Sequence, residues 1–222
     1  MSTDPSATLL AALRQAVIDG QAAAAAAATE RALAAGLPAR RLVDEALIPA
    51  MDEAGRLFES GEFFVPELLV AARALKASQA ILTPLLAGAP AAAKGRVAIG
   101  TVKGDMHDIG KNLVVALLQG GGFDVVDLGA DVPPERFVAA VTDDRADIVG
   151  LSALLTTTML QMRSTVRALE DAGVRGAVKV IVGGAPVTQR FADEIGADGY
   201  ADNAASALAL ARQLMDAASR PA

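Results

Sequence analysis

The second half of this chain alternates short runs of β-branched residues with longer segments of helical character, and this alternation restricts the fold more than any other feature. Strands are predicted at residues 96–101, 124–128, 148–151, 178–182 and 199–201. Helices are predicted at residues 109–119, 134–142, 157–172, 187–195 and 204–218. Because each strand leads into a helix before the next strand begins, the pattern predicts an α/β fold with a parallel sheet and helices on both faces.

The first part of the chain has a different pattern, because residues 6–87 have helical character almost throughout. Apolar residues recur there at helical spacing, and four or five helices fit, which is enough for a bundle. Breaks are expected near Gly20, at residues 36–38, at Pro49 and at residues 61–66. Residues 87–95, AGAPAAAKG, have the composition of a linker. We therefore predict an N-terminal all-α helical bundle at residues 1–90. A flavodoxin-like, doubly wound, parallel five-stranded sheet is predicted at residues 91–222.

Composition limits the classes of protein to consider. Of all residues 53% are apolar, but alanine supplies much of that share, and no apolar run reaches the roughly 18 to 20 residues of a membrane span. The N-terminus, MSTDPSATLL, lacks the plan of a secretory signal, and the chain has no cysteine. The expectation is a soluble, cytoplasmic protein that does not act on a membrane.

The charge distribution indicates no nucleic-acid partner. The net charge of −6 is spread evenly, with 7 basic and 10 acidic residues in 1–90 and 13 basic and 16 acidic residues in 91–222. No basic patch emerges from this pattern, so nucleic acid is not an expected partner.

The only histidine of the sequence, His107, lies in the segment GDMHDIG at residues 104–110. Asp105, two positions earlier, can accept the proton of one ring nitrogen, which fixes the tautomer and leaves the other nitrogen free as a metal ligand. A zinc site needs about three or four protein ligands, and this chain has one histidine and no cysteine. A single protein nitrogen suits a metal whose other positions are filled by a macrocycle, as in haem proteins.

The predicted fold brings this histidine near a second segment. In doubly wound sheets, ligands bind beyond the carboxyl ends of the strands where the strand order reverses, which in the flavodoxin-like order is between the first and third strands. The loop after the first strand holds Asp105 and His107, and residues 152–158 follow the third strand. The two loops are therefore expected to converge.

The spacing of three short motifs supports a family resemblance. Between Gly110 and Ser152 lie 41 residues, and a further 28 separate Leu154 from Gly183. With these spacings the chain resembles the cobalamin-binding module whose pattern is DxHxxG, SxL and GG. The segment EFFVPELLVAA at residues 62–72 resembles the helical cap that covers the corrinoid in methyl-carrying proteins. The chain is thus similar to the corrinoid proteins of methyltransferase systems, such as those for methylamines and methanol, and to the cap and cobalamin-binding module of methionine synthase.

This resemblance implies a set of site residues. His107 would be the axial cobalt ligand in a base-off, His-on cobalamin, with Asp105 and Thr158 completing a ligand relay. The implied cofactor-binding residues are Gly104, Asp105, Met106, His107, Asp108, Ile109, Gly110, Ser152, Leu154, Thr156, Thr158, Gly183, Gly184, Tyr200 and Ala204. The implied upper-face cap residues are Phe63, Phe64, Leu68 and Leu69. The glycines would leave room for the nucleotide tail of the cofactor. If the relay holds a proton while His107 is released, Asp105→Asn should shift the pH dependence of ligation.

The implied function is that of a methyl carrier. Such a protein is a non-catalytic corrinoid subunit that shuttles a methyl group between a donor-specific methyltransferase and an acceptor methyltransferase. The cofactor, cobalamin or a related corrinoid, supplies the chemistry. The chain has no domain for activating a donor, so separate methyltransferases and a reductive activase are expected as partners.

Three other functions fit the sequence less well. A cobalamin-dependent mutase small subunit uses a similar module but leaves the upper face open to a barrel subunit, which the helical half disfavours. A cobalamin-based sensor would carry a DNA-binding segment and a tryptophan, and this chain has no tryptophan. A hydrolase built on Ser152, His107 and Asp105 would need a GxSxG turn around the serine, which is absent.

Overall fold

The computed structural model describes residues 5–86 and 94–218, which divide into two compact units. The first unit is helical, and the second contains the sheet. Most of the linker predicted at residues 87–95 lies outside the described residues, as does the domain boundary predicted between residues 90 and 91.

The described part of the first unit consists of helices. These are α1 (Pro5–Ile18), α2 (Ala22–Ala34), α3 (Ala39–Leu42), a π-helical turn (Val43–Leu47), α4 (Ile48–Glu59) and α5 (Val65–Leu86). Helix α2 buries Ala25, Ala28 and Ala32 at helical spacing, so its alanine-rich sequence forms an amphipathic helix with a small-residue face. Fully buried leucines such as Leu13 and Leu42 provide the bulk of the core.

The predicted break at Pro49 is wrong, because the helix continues through it. Helix α3, the π turn and α4 follow one another without interruption, and Pro49 stands at the second position of α4. The N–H of Ile48 bonds to the carbonyl of Val43, five residues back. This wider hydrogen-bond pattern just before the proline accommodates a residue that has no N–H to donate.

The second unit contains a parallel sheet with connecting helices. Its elements are β1 (Arg96–Val102), α6 (Ile109–Gly120), β2 (Asp124–Val132), α7 (Pro134–Thr142), β3 (Ile148–Ser152), α8 (Leu160–Asp171), a 3-10 turn (Arg175–Ala177), β4 (Lys179–Gly183), α9 (Gln189–Glu194), β5 (Gly199–Ala201) and α10 (Ala204–Ala218). All the strand pairs of this five-stranded sheet, as far as the chain is described, are parallel, and the order is β2-β1-β3-β4-β5. The predicted flavodoxin-like, doubly wound fold is confirmed.

The strand order determines where the connecting helices lie. Right-handed crossovers from β1 to β2 and then from β2 back to β3 put α6 on one face of the sheet and α7, α8 and α9 on the other. Phe137 of α7, Leu169 of α8 and Phe191 of α9 accordingly share one buried cluster with Val149 and Val180 of the sheet. This packing fixes the strand ends from which the site loops emerge.

Strand β2 is longer than predicted and irregular. Its register against β1 shifts twice, so that Gly100 lies opposite Gly129 and Val102 opposite Val132. The extra residues on β2 bulge out of the ladder, which bends a strand and redirects its side chains. One result is that Asp131, with a φ of 55°, lies beside the loop that follows β1.

Candidate functional site

The candidate site lies at the carboxyl ends of β1 and β3, where the strand order reverses. Thr101 at the end of β1 lies opposite Ser152 at the end of β3, and Ser152 lies opposite Gly183 at the end of β4. Residues 103–108 follow β1 and residues 153–159 follow β3. The two loops converge as the sequence predicts, because parallel strands end at one edge of the sheet.

The two loops are joined through the fully buried carboxylate of Asp105. Its Oδ1 accepts hydrogen bonds from the backbone N–H of His107 at 3.1 Å and from the His107 ring at Nδ1, 2.7 Å away. Its Oδ2 accepts hydrogen bonds from the Thr158 hydroxyl at 2.6 Å and from the backbone N–H of Leu154 at 2.8 Å. One side chain thus connects the histidine with the loop after β3.

The environment of Asp105 favours its ionised form. Burial alone would raise the pKa of this carboxyl, but hydrogen bonds from Thr158, from the N–H of Leu154 and from His107 stabilise the charge and outweigh burial. The pKa of Asp105 therefore lies well below its usual range. The His107 imidazole is therefore held by a buried, negatively charged carboxylate.

His107 is arranged so that one ring nitrogen is held and the other is available. Because ionised Asp105 can only accept a hydrogen bond, Nδ1 carries the proton and Nε2 carries the lone pair that a metal needs. The His107 side chain is 52% exposed although its partner carboxylate is buried. Its backbone carbonyl accepts a 2.8 Å hydrogen bond from the buried hydroxyl of Thr101. Thr101 and Asp105 thus hold the backbone and one ring nitrogen of His107, while the imidazole stays exposed.

The four glycines of the predicted site fall into two classes. A Cβ on Gly110 would meet nothing within 4 Å, and one on Gly104 would meet only a Thr158 methyl at 3.8 Å. A Cβ on Gly183 would lie 2.7 Å from the carbonyl oxygen of Ala201, and one on Gly184 only 1.9 Å from that of Ala153. The first pair leaves open space beside the histidine loop, whereas the second pair permits close approach of the end of β5 and of the loop after β3.

Exposed apolar side chains lie on the same two loops and at the first residues of the helices that follow them. Met106 and Ile109 are 73% and 69% exposed, which is unusual for side chains of this size. Leu154, Leu155 and Leu160 are also exposed. Such a grouping marks a surface that binds an apolar partner or ligand. Of these residues, Leu155 and Leu160 were not predicted from the sequence.

The remaining predicted site residues lie on the two loops, on β5 and at the start of α10. Asp108 and Thr156 are exposed on the two loops, and Asp108 accepts a hydrogen bond from Asn112. Tyr200 lies on β5, at the far end of the sheet from β2, and packs against the buried cluster of the sheet, while Ala204 is buried at the start of α10. Neither residue is brought to His107 by a hydrogen bond in the described part of the chain.

The predicted cap residues of the helical unit differ in exposure. Phe64 and Leu69 are exposed, with 66% and 44% of their surface accessible, and Phe63 is half-buried. Leu68 is fully buried, so its side chain presents no surface.

Sequence reasoning missed three residues that support the histidine loop. Thr101 and Asp131 bond to it directly, and Lys111 is a buried lysine at the start of α6. The Nζ of Lys111 contacts Asp127 at 2.6 Å and Asn112 at 2.7 Å. A lysine directly after the glycine of DxHxxG is visible in the sequence, but only the fold shows that it is buried and paired.

Two further observations concern metals and membranes. Among residues 5–86 and 94–218, no three or more histidine, aspartate or glutamate side chains gather as a metal site. No helix in the same residues is both long and apolar enough to cross a membrane.

Comparisons with known proteins agree with this geometry. Two family profiles, each described as a B12 binding domain, match residues 95–209 and residues 9–83. The chain belongs to the B12-binding corrinoid protein family. It is 44% identical over 208 residues to a dimethylamine corrinoid protein of Methanosarcina acetivorans, covering 93% of this chain and 97% of that one. It is 40% identical over 211 residues to a corrinoid protein of Desulfitobacterium hafniense, covering 94% and 98%.

A solved structure extends the likeness to the fold of the family. In the methanol:cobalamin methyltransferase complex of Methanosarcina barkeri, the matching chain superposes with a TM-score of 0.86 at 32% identity, covering 96% of this chain and 81% of that one. The cofactor of this corrinoid protein is cobalamin or a related corrinoid.

The described residues fit such a cofactor. The Nε2 of His107 would suit a cobalt that takes one nitrogen from the protein, because Asp105 holds the other ring nitrogen. The exposed apolar side chains of the two loops and of the helix starts after them would offer an apolar surface to the macrocycle of the cofactor. Open space at Gly104 and Gly110 leaves room beside the ligand loop.

Proposed function

We propose that this protein is a methyl carrier that binds its corrinoid base-off with His107 as the axial ligand. The observation that carries the proposal is the hydrogen-bonded group of His107, Asp105 and Thr158, which spans both loops at the switch point of the sheet. When bound, the corrinoid would supply the chemistry, which is the acceptance of a methyl group and its donation to an acceptor.

The protein's part is to hold and tune the ligand. Asp105 fixes the His107 tautomer and increases the basicity of Nε2, as carboxylate partners of metal-bound histidines do. Thr158 and the N–H of Leu154 keep that carboxylate ionised and oriented. In this proposal the relay acts through orientation of the imidazole.

Space for the nucleotide tail is the second element of the proposal. Gly104 and Gly110 leave space for the tail beside the histidine loop. Ser152, Leu154 and Thr156 line that space from the end of β3 and the loop after it. Gly183 and Gly184 act by permitting the close approach of the loops after β3, β4 and β5. Tyr200 and Ala204 complete the rim at the end of β5.

We further propose that the helical unit, residues 1–90, acts as the cap of the upper cofactor face. Phe64 and Leu69 are the side chains assigned to this role because they are large, apolar and exposed, with Phe63 beside them. Buried Leu68 supports the helix that carries them. Apolar cover would exclude water from the reactive cobalt face.

The proposed partners are a donor-specific methyltransferase, an acceptor methyltransferase and a reductive activase. The named relatives serve dimethylamine and methanol, so methylated amines and methanol are the donors to test first. The same names favour a methyl carrier over a mutase subunit or a sensor.

Carriage of a methyl group can be tested without knowing the donor. Holoprotein reduced in the absence of oxygen is treated with isotope-labelled methyl iodide, which needs no enzyme, and then desalted. The proposal predicts about one label per bound corrinoid, released when a methyltransferase and its thiol acceptor are added. A holoprotein that takes no label, or that keeps it under all acceptor conditions, contradicts the carrier role. Apoprotein is the control for direct methylation of side chains.

A further inference from the structure

Asp131 has an uncommon backbone conformation. Asp131 has a φ of 55°, in the left-handed region that side chains other than glycine seldom adopt. It lies within the second register shift of β2, between Gly129 and Val132, so the bulge brings it to this place. Strained backbone of this kind persists where surrounding contacts over-determine it, and it is frequent at functional sites.

The contacts of Asp131 are with the loop that carries the histidine. Its Oδ1 accepts a hydrogen bond of 2.7 Å from the N–H of Gly104. Its own N–H donates a bond of 2.9 Å to the carbonyl of Asp105. Asp131 therefore holds the Gly104–Asp105 segment at both ends, at the N–H of Gly104 and at the carbonyl of Asp105.

The conformation of this segment determines where the Asp105 carboxylate points. Gly104 turns the chain with a φ of 82°, and the N–H of Asp105 bonds back to Val102 at 3.1 Å. A shift of this turn would move the carboxylate away from the His107 ring, which it holds at 2.7 Å. Asp131 itself is exposed, so burial in the core does not explain its position.

We propose that Asp131 is a positioning residue that fixes the Gly104–Asp105 turn and thereby the orientation of the His107 imidazole. This inference deepens the proposed function, because it rests on His107 being the axial ligand. Asp131 acts from outside the ligand relay, since its two hydrogen bonds reach the backbone of Gly104 and Asp105.

Three substitutions separate the carboxylate from the backbone conformation. Asp131→Ala removes the acceptor and disfavours the positive φ, and Asp131→Gly removes the acceptor but relieves the φ. Asp131→Asn keeps an acceptor oxygen and tolerates the left-handed region. Arg145→Ala is the matched control, because Arg145 also has a φ of 55° but precedes β3, at the opposite end of the strands.

The readout is the ratio of His-ligated to unligated Co(II), taken from electron paramagnetic resonance of cobalamin-loaded full-length protein at pH 7. Loss of such a supporting contact typically weakens metal ligation by about 10- to 100-fold. We expect Asp131→Gly and Asp131→Ala to lower the ligation ratio at least about tenfold. Asp131→Asn and Arg145→Ala should stay within about threefold of the natural protein.

Two outcomes would overturn the inference, and both differ from failure of the proposed function. If the natural protein shows His107 ligation and Asp131→Gly keeps the same ratio, Asp131 does not position the ligand. If Arg145→Ala lowers the ratio as much as Asp131→Gly, the effect is general strain. If the natural protein shows no protein nitrogen on cobalt, the proposed function itself fails. Should Asp131→Ala not fold, Asp131→Gly decides.

Discussion

At the residue scale, Asp105 is the centre of this site. It is fully buried and accepts hydrogen bonds from four donors, two on its own loop and two on the loop after β3. A buried carboxylate with this many donors stays ionised, and every donor removed leaves part of its charge uncompensated. The Thr158 hydroxyl is the side-chain donor that can be removed with the least change in shape.

Thr158→Val should therefore destabilise the protein more than its size suggests. Valine has the shape of threonine but cannot donate to Asp105, so we expect the free energy of unfolding to fall by roughly 1–3 kcal/mol. Thr158→Ser keeps the donor and should cost less than about 1 kcal/mol. Urea unfolding of the apoprotein measures both. Equal losses in the two variants would show that the hydroxyl contributes little.

The sequence revealed part of this site because part of it is local. Asp105 and His107 lie two positions apart, so their pairing follows from one short motif, and Thr158 could be placed only through the family resemblance. Asp131 could not be predicted, because its position depends on two bulges in β2 that no local sequence pattern indicates. Burial of Lys111 likewise depends on the packing of α6 against β2.

At the element scale, helix α6 follows the ligand loop and has at its second position a glycine, Gly110, that the fold does not require. A Cβ on Gly110 would meet nothing within 4 Å, and the residue lies inside the first turn of the helix. The proposed function gives that empty space to the cofactor. Stability and cofactor binding should therefore respond to the same substitution in opposite directions.

Gly110→Ala should stabilise the apoprotein but weaken cobalamin binding. Alanine favours helix over glycine by up to about 1 kcal/mol, so the free energy of unfolding should rise or stay constant. A methyl group in the space of the cofactor should raise the Kd about tenfold or more, because overpacking costs roughly 1–3 kcal/mol.

Gly176→Ala is the matched control for this experiment. Its Cβ would also meet nothing within 4 Å, but it lies in the turn before β4, away from the carboxyl ends of the strands. Its cobalamin affinity should not change. Equal Kd values for Gly110→Ala and the natural protein would remove Gly110 from the cofactor site.

Most elements followed from the sequence, and the exceptions have physical causes. The strand and helix order of the sheet unit was predictable because parallel βα units repeat one apolar pattern. The break predicted at Pro49 was wrong because a π turn, which depends on the whole helix, accommodates the proline. Strand β2 was predicted too short because its bulges interrupt the alternation of residues.

At the scale of the whole molecule, acid stability depends on carboxylates that the fold keeps ionised. Asp198 is one outside the site, and it accepts hydrogen bonds from the N–H of Val180 at 2.8 Å, from Arg175 at 2.7 Å and from Lys179 at 3.2 Å. Burial opposes its ionisation, but these donors and charges outweigh burial and lower the pKa of Asp198. Such a group stabilises the fold above the unfolded-state pKa, near 3.9, and this stabilisation is lost as pH falls through the lowered folded pKa.

Asp198→Asn should consequently lower stability in a pH-dependent way. At pH 7 the free energy of unfolding should fall by roughly 1–3 kcal/mol, because asparagine cannot offset the charge of Arg175. The difference from the natural protein should shrink below about pH 4, because Asp198 is then protonated in the unfolded chain and, at still lower pH, in the folded one. Thermal unfolding across pH 3–7 measures this. Asp193→Asn, at an exposed position of α9, is the control and should change stability by less than about 0.5 kcal/mol. A difference that stays constant with pH would contradict the ionic explanation.

The proposed role of His107 in this corrinoid protein is that of axial ligand to cobalt. Electron paramagnetic resonance of the Co(II) form tests it directly, with unlabelled cobalamin bound to protein made at natural abundance and to protein uniformly labelled with nitrogen-15. If His107 is the ligand, the axial nitrogen splitting changes from a triplet to a doublet on labelling and disappears in His107→Ala. A bound cofactor whose splitting ignores the label would contradict it, because the axial nitrogen would then belong to the cofactor itself.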